Sequence, residues 1–371
     1  MTNTANTGQI ALGIESLNRI IGNLHPKKLM IVADASYPFL SIRNKIEDIT
    51  VPYIMFNQFG ANPLYEDVCR GVALFNQSGC DALLAIGGGS SIDVAKCIKL
   101  YCRMKAGTPF LFQEYADSHI PLIAIPTTAG TGSESTRFAV IYYKGAKQSV
   151  THPSIIPNHA ILEPSVLSTL PAYQKKCTLL DALCQGIESW WSINSTPESV
   201  ALSADAVKTL WANIDPYIFD NSTEAAASIM QAANKSGQAI NITQTTAPHA
   251  FSYKITTLYH LPHGHAVAIC LPDIWQYMIA HPDKCIDPRG WTHLDKTFGT
   301  ISQAMQCSSA AEAIGSFRAL LKKLGIEAPA CRNRAEELAV LTHSVNPERL
   351  KNNPIRLDTQ TIHTLYNNLL P

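Results

Sequence analysis

The feature that most limits what this chain can fold into is a change of texture near residue 165. Before it, short β-branched runs, KKLMIVAD (27–34), VPYIMF (51–56), CDALLAIGGG (80–89) and IPLIAIPTT (120–128), alternate with helical stretches such as Leu64 to Ser78. Strands that alternate with helices and end in Gly or Thr turns build βαβ units around a parallel sheet. After it, strand-like runs nearly vanish. Ala-, Leu- and Gln-rich stretches at 172–193, 197–213 and 223–243 point to helices instead. The remainder to Pro371 also reads as helical, with breaks at Pro282, Pro288, Pro329, Pro347 and Pro354. The expectation is an α/β domain over residues 1–165 followed by an all-α domain over 166–371.

At 371 residues, the chain is long enough to bury two separate cores. Its 46% hydrophobic and 16% charged content suits a compact protein, not a disordered one. Lys plus Arg and Asp plus Glu both total 29, so no bulk field recruits nucleic acid or an anionic membrane surface. The opening MTNTANTGQIALG lacks the charged and apolar regions of a secretory signal, and no apolar run approaches the roughly 20 residues that span a bilayer. Ten cysteines are scattered with no C-x-x-C pair, which favours free thiols in a reducing compartment. A cytoplasmic location is expected.

Two glycine-bearing turns carry chemistry. In AIGGGSSIDVAKCIKL, three glycines close a buried strand, and Ser90, Ser91 and Asp93 open a helix. Glycines let a phosphate approach the backbone, and the first N–H groups of the helix then face the anion; a plain capped turn would look the same. In IPTTAGTGSEST (125–136), Thr127, Thr128, Thr131 and Ser133 follow another apolar strand. Hydroxyls and glycines there suit a pyrophosphate or ribose, though they are also ordinary loop composition. Both turns follow strands of one sheet, which favours a dinucleotide lying across the strand ends. Asp34, ending LMIVAD, would then bond a ribose diol and favour NAD over NADP, or else cap the next helix.

TTAPHAFSYKITTLYHLPHGHAVAICLP (245–272) holds four of the chain's twelve histidines. His249 and His263 each follow a proline and fall on two helices or helix ends joined by a turn, while His265 points away from His263 if the chain there is helical. CTLLDALCQGIESWW offers Asp181 and Gln185, which share a helix face at i and i+4. An acid in so apolar a context calls for a cation. The spacing leaves open whether these histidines bind a metal or are structural.

These residues carry a resemblance to the iron-containing (group III) alcohol dehydrogenases, whose fold relatives include glycerol dehydrogenase and dehydroquinate synthase. GGGSSID is similar to that family's G-G-G-S-x-x-D, PTTAGTGSE to P-T-T-x-G-T-G-S-E, and DALCQGIES to D-A-L-x-H-x-I-E. GQAINITQTTAPHAFSYKITTLYHLPHG aligns on G-M-A-x-N … H-A-x-x-H … P-H-G, and the match runs from about Asp34 to Pro272. The resemblance implies an α/β dinucleotide-binding domain, an all-α carboxy-terminal domain, NAD(P)H and Fe²⁺ or Zn²⁺, commonly in a homodimer. It places Gly88, Gly89, Ser90 and Asp93 at the diphosphate and nicotinamide, Thr127, Thr128 and Ser133 in the second turn, and Lys147 at the ribose. Asp181, His249 and His263 fall on metal-ligand positions. The implied chemistry is hydride transfer to an aldehyde polarised by the metal.

Two departures stand out. Gln185 replaces the usual second metal histidine, and can offer only a neutral carbonyl oxygen. Tyr253 replaces the histidine usually found four after the first, and is a candidate for proton relay. The combination SWWSINSTPES, INITQTTAPHAFSY and LPHGHAVAICLP is similar to the phosphonate-associated branch, whose proposed reaction is reduction of phosphonoacetaldehyde to 2-hydroxyethylphosphonate. Thr245, Thr246, Lys254 and Arg137 are the candidate partners for a phosphonate. A general short-chain or lactaldehyde dehydrogenase and a metal-free cofactor-binding protein remain the alternatives.

Overall fold

The structure, a computed structural model, describes residues 8–105 and 107–371. The opening MTNTANT lies outside the described residues. Two compact units are present: one runs to Pro171 and adds Asn221–Gly237, the other comprises Ala172–Asp220 and Gln238–Pro371.

The first unit is built on strands β1 (Gln9–Leu12), β2 (Leu29–Ala33), β3 (Tyr53–Phe56), β4 (Ala82–Gly87), β5 (Leu122–Pro126), β6 (Phe138–Tyr143), β7 (Ala146–Thr151) and β8 (His159–Leu162), with helices α1 (Leu17–Leu24), α2 (Arg43–Glu47), α3 (Tyr65–Gln77) and α4 (Gly89–Tyr101). Among the described residues, six strands form one sheet in the order β1-β8-β5-β4-β2-β3, with every neighbouring pair parallel. The central strands LMIVA, ALLAIG and LIAIP are buried at every residue, the continuous apolar run that a strand covered on both faces requires. Gly87 pairs with Pro126, so β4 and β5 end level and the turns that follow them lie side by side.

The antiparallel hairpin β6–β7 and the four-residue strands β1 and β8 were not anticipated from the sequence. The hairpin had a legible signal: aromatic and β-branched residues flank Lys144 and Gly145, whose φ values of 51° and 75° are those of a two-residue hairpin turn.

The second unit contains α5 (Ala172–Trp191), α6 (Pro197–Ala212) and α7 (Ile214–Ile218), the end of α8 (Thr223–Thr243), then α9 (Ala247–Tyr259), α10 (His263–Ala280), α11 (Trp291–Ala304), α12 (Ala310–Leu324), α13 (Arg334–Ser344), α14 (Pro347–Leu350) and α15 (Thr359–Leu369). From Leu179 to Trp191 every residue of α5 is buried, so these turns form a core segment with no solvent face. It packs against α6 and α10, and α10 packs against α9. Among the described residues, no helix is long and apolar enough to cross a membrane.

Candidate functional site

In the first unit, the β4–α4 turn and the β5–β6 segment interlock. Gly87 has φ 149°, and a Cβ there would fall 2.2 Å from Ser91 Oγ and 2.8 Å from Asp34 Oδ2. A Cβ on Gly89 would meet the Thr131 side chain at 3.0 Å. Gly88, Gly89 and Ser90 remain partly open at the start of α4, where helix N–H groups lack intrahelical partners and can face an anion. Thr127 is buried and its N–H donates to Gly87 O at 3.0 Å, while Thr128 is partly open.

Several residues expected at the cofactor are engaged in framing these turns. Asp34 accepts from Ser36 N–H (2.9 Å) and Ser91 Oγ (2.9 Å), so it ties the end of β2 to the start of α4 and does not cap the helical turn that follows it. Asp93 accepts from Ser133 Oγ (2.6 Å) with one oxygen and from Val140 N–H (2.9 Å) with the other. Burial pushes the Asp93 carboxyl above its ordinary value, with Lys96, these bonds and the charge of Lys147 on β7 pulling it back. Lys96, missed from the sequence, is fully buried and donates to Ser133 Oγ (3.0 Å), Thr136 Oγ1 (3.1 Å) and Phe138 O (2.7 Å). Gly132, at φ 62°, lies so close to Gly237 of α8 that a Cβ would sit 2.3 Å from its Cα. Arg137 holds its guanidinium 4.9 Å above the Phe138 ring.

In the second unit, three helices converge on one buried acid. His249 lies in the first turn of α9, directly after Pro248 of the same turn, and His263 opens α10 directly after Pro262 at its N-cap. Gly264 makes the convergence possible: a Cβ there would fall 1.9 Å from Cys177 O and 2.9 Å from Asp181 Cβ, so only glycine lets the start of α10 lie against α5. One ligand atom each from Asp181, His249 and His263 lies within 4.8 Å of the others. The His249 and His263 rings meet edge to face at 5.2 Å.

The electrostatics of the cluster suit a cation. Burial alone pushes Asp181 up, but bonding to His249, the charge of His263 and a hydrogen bond from Gln185 bring its carboxyl below the ordinary value. Burial works against the His249 imidazolium, yet Glu188 and Asp181 together lift it to about 9. Asp181 Oδ1 and His249 Nε2 are both buried and face each other at 3.4 Å, an ion-pair distance at which neither has a well-formed hydrogen bond. Such atoms are costly unless something binds them, and a divalent cation between an acid and two imidazoles satisfies all three. The residues therefore fit a metal. Gln185 is buried one turn along α5 from Asp181, beside the cluster.

Glu188 was not singled out from the sequence. It stands two turns beyond Asp181 on α5, is fully buried, and accepts from His249 Nδ1, Thr246 N–H (2.9 Å) and Thr246 Oγ1 (3.0 Å). A carboxylate at i+7 on an otherwise apolar helix was the available signal. Thr246 requires a correction as a substrate residue: only 1% exposed, its hydroxyl donates to Glu188 and accepts from Trp191 Nε1 at 2.8 Å, so it is committed to the core. Thr245 and Lys254 are partly open. His265 is hydrogen-bonded through both ring nitrogens. Its Nε2 meets Glu327 O at 2.7 Å and must donate, so Nδ1 accepts from Tyr173 OH at 2.7 Å. His260 is exposed in a left-handed conformation at the end of α9.

The model of iron-containing alcohol dehydrogenase matches residues 9–164, and that of the carboxy-terminal region of the Fe-containing alcohol dehydrogenase family matches residues 176–370. The chain is 34% identical to phosphonoacetaldehyde reductase of Streptomyces viridochromogenes over 77% of its length and 75% of that protein's. It is 26% identical to sulfoacetaldehyde reductase of Bilophila wadsworthia over 85% of its length and 86% of that protein's. The crystal structure of sulfoacetaldehyde reductase from Bifidobacterium kashiwanohense in complex with NAD⁺ superposes with a TM-score of 0.87 at 22% identity, covering 100% of this chain and 98% of that one. The chain belongs to the iron-containing alcohol dehydrogenase family, as an oxidoreductase of alcohols and aldehydes.

Proposed function

We propose that this chain reduces phosphonoacetaldehyde to 2-hydroxyethylphosphonate, using NADH and a divalent iron held by Asp181, His249 and His263. The observation that carries the substrate is the 34% identity to a phosphonoacetaldehyde reductase over about three quarters of both chains. The similarity to a sulfoacetaldehyde reductase supports the same class, a two-carbon aldehyde bearing an anionic tetrahedral group. When bound, the nicotinamide supplies the hydride and the cation supplies Lewis acidity toward a carbonyl oxygen.

The rest falls to the chain's own side chains. The open N–H groups at Gly88, Gly89 and Ser90 receive the cofactor diphosphate, with Thr128 and Lys147 as further cofactor contacts. The Tyr253 hydroxyl relays a proton toward the oxygen of the product alcohol. Lys254 and Thr245 are assigned to the phosphonate, whose charge calls for a cation and hydroxyl donors. In balance, one aldehyde, one NADH and one proton give one alcohol and one NAD⁺.

The test is oxidation of NADH and of NADPH with phosphonoacetaldehyde, sulfoacetaldehyde, propanal and lactaldehyde. We expect kcat/KM for phosphonoacetaldehyde to exceed that for propanal on the order of 100-fold, because an ion-pairing site left unfilled by an uncharged substrate costs a few kcal/mol. Equal values for all four aldehydes would remove the phosphonate assignment and leave a general short-chain dehydrogenase.

A further inference from the structure

We propose that Glu188 is the positioning residue of the metal site, fixing His249 in the tautomer and orientation in which Nε2 can ligate. This rests on the reading that Asp181, His249 and His263 hold the cation. Glu188 is 0% exposed, yet its carboxylate faces four donors: Thr246 N–H (2.9 Å), Thr246 Oγ1 (3.0 Å) and His249 N–H (3.3 Å) at one oxygen, and His249 Nδ1 at the other. That many donors offset the burial of the charge.

Two consequences follow. The first is local structure: Thr246 sits at the N-cap of α9 without capping it, since its hydroxyl is turned to Glu188. Glu188 instead takes the N–H groups of Thr246 and His249, capping α9 from another helix. The second concerns the ligand. A carboxylate at Nδ1 accepts its proton, so when the ring gives up its other proton to take a metal, Nδ1 keeps its hydrogen and the lone pair is on Nε2, the atom 3.4 Å from Asp181 Oδ1. A carboxylate on the far nitrogen of a ligating histidine also makes that histidine more basic toward a metal. Asp181 and Glu188, seven residues apart on α5, thus form one unit: the first supplies a ligand and the second holds a ligand carried by α9.

The experiment uses the full chain, stripped of metal and titrated with Co²⁺ alone while the d–d absorption is followed. Glu188→Gln keeps the size of the side chain and loses its charge. It is expected to raise the Co²⁺ Kd about 10- to 100-fold and to alter the absorption envelope, with NADH binding by fluorescence unchanged. Thr246→Val removes a different bond to the same carboxylate, and is expected to lower thermal stability while leaving the Co²⁺ Kd within about threefold, since His249 keeps its partner. A loss below tenfold in Glu188→Gln, or an equal loss in Thr246→Val, would overturn the assignment and leave Glu188 as a helix cap alone. Should Glu188→Gln not fold, nitrogen-15 histidine spectra of the Zn²⁺-loaded wild-type chain decide the matter. A proton on His249 Nδ1 is expected, and a proton on Nε2 overturns the proposal. A wild-type chain that binds neither ion would remove the metal reading itself, a result separable from a wild type that binds and a variant that binds equally well.

Discussion

The phenol ring of Tyr253 lies parallel to the imidazole of His263, their planes 11° apart and their centroids separated by 5.8 Å. Tyr253 stands where the family resemblance implies a histidine, and its ring covers a face of His263, one of the proposed ligands. Tyr253→Phe keeps the stack and removes only the hydroxyl. We expect kcat for aldehyde reduction to fall on the order of 100-fold with Co²⁺ affinity unchanged, as befits loss of a proton relay. Stopped-flow oxidation of NADH measures this, and an unchanged kcat would leave Tyr253 as packing alone.

Gln185 is the other departure, one turn from Asp181 and bonded to it. An amide oxygen is a poorer donor to late first-row metals than imidazole. Gln185→His should therefore tighten Fe²⁺ or Co²⁺ binding by about tenfold or more, read as metal retained after dialysis against a chelator. If retention does not change, position 185 does not reach the metal, and Gln185 acts only through its bond to Asp181.

What could be read from the sequence, and what could not, divides along physical lines. Strands β2, β4 and β5 were legible because central parallel strands are unbroken apolar runs, the edge strand β3 because YIMF is apolar as well, and α5, α6 and α8 because their periodicity is long. Strands β1 and β8 are four residues each, too short to stand out. His249 and His263 could be picked out by the prolines before them and by the family pattern. Glu188 closes the aligned DALCQGIE stretch, yet its role could not be read there, since it depends on which helix end faces it across the core. Lys96 was hidden for a related reason: a lysine in the middle of a helix usually marks a solvated face, and only the close packing of β6 and the turn at Ser133 buries this one. Nor does helical period reveal which body a helix joins, and the beginning of α8 packs at Gly132 through Gly237.

Gly264 carries a prediction about how the ligands are brought together. Alanine there would place its Cβ 1.9 Å from Cys177 O, a backbone atom that cannot swing aside. The start of α10 must then lift away from α5 and take His263 with it. Gly264→Ala should cost about 1–3 kcal/mol in stability, as overpacking of a close contact does, and weaken Co²⁺ binding at least tenfold. Thermal melts with and without Co²⁺ separate the two effects. A variant whose metal affinity matches wild type would show that α10 can shift without moving His263.

Lys96 makes the stability of the first unit depend on pH in a direction that can be worked out. Burial lowers its pKa from 10.5 to about 8, against the pull of Asp93 and Glu134. Below about 8 the folded chain therefore bears the full cost of a charged, buried amine. As pH rises from about 8 toward 10.5, the folded state releases this proton while the unfolded chain still holds it, so the unfolded state binds more protons and stability rises. The span corresponds to a contribution on the order of 3 kcal/mol. Lys96→Met removes the titration along with three hydrogen bonds. Urea unfolding of both chains at intervals from about pH 7 to about pH 10 should show the wild type gaining on the variant across the upper half of that range. A difference that stays flat with pH would mean that Lys96 is held charged throughout by the oxygens around it, Ser133, Thr136 and Phe138 among them.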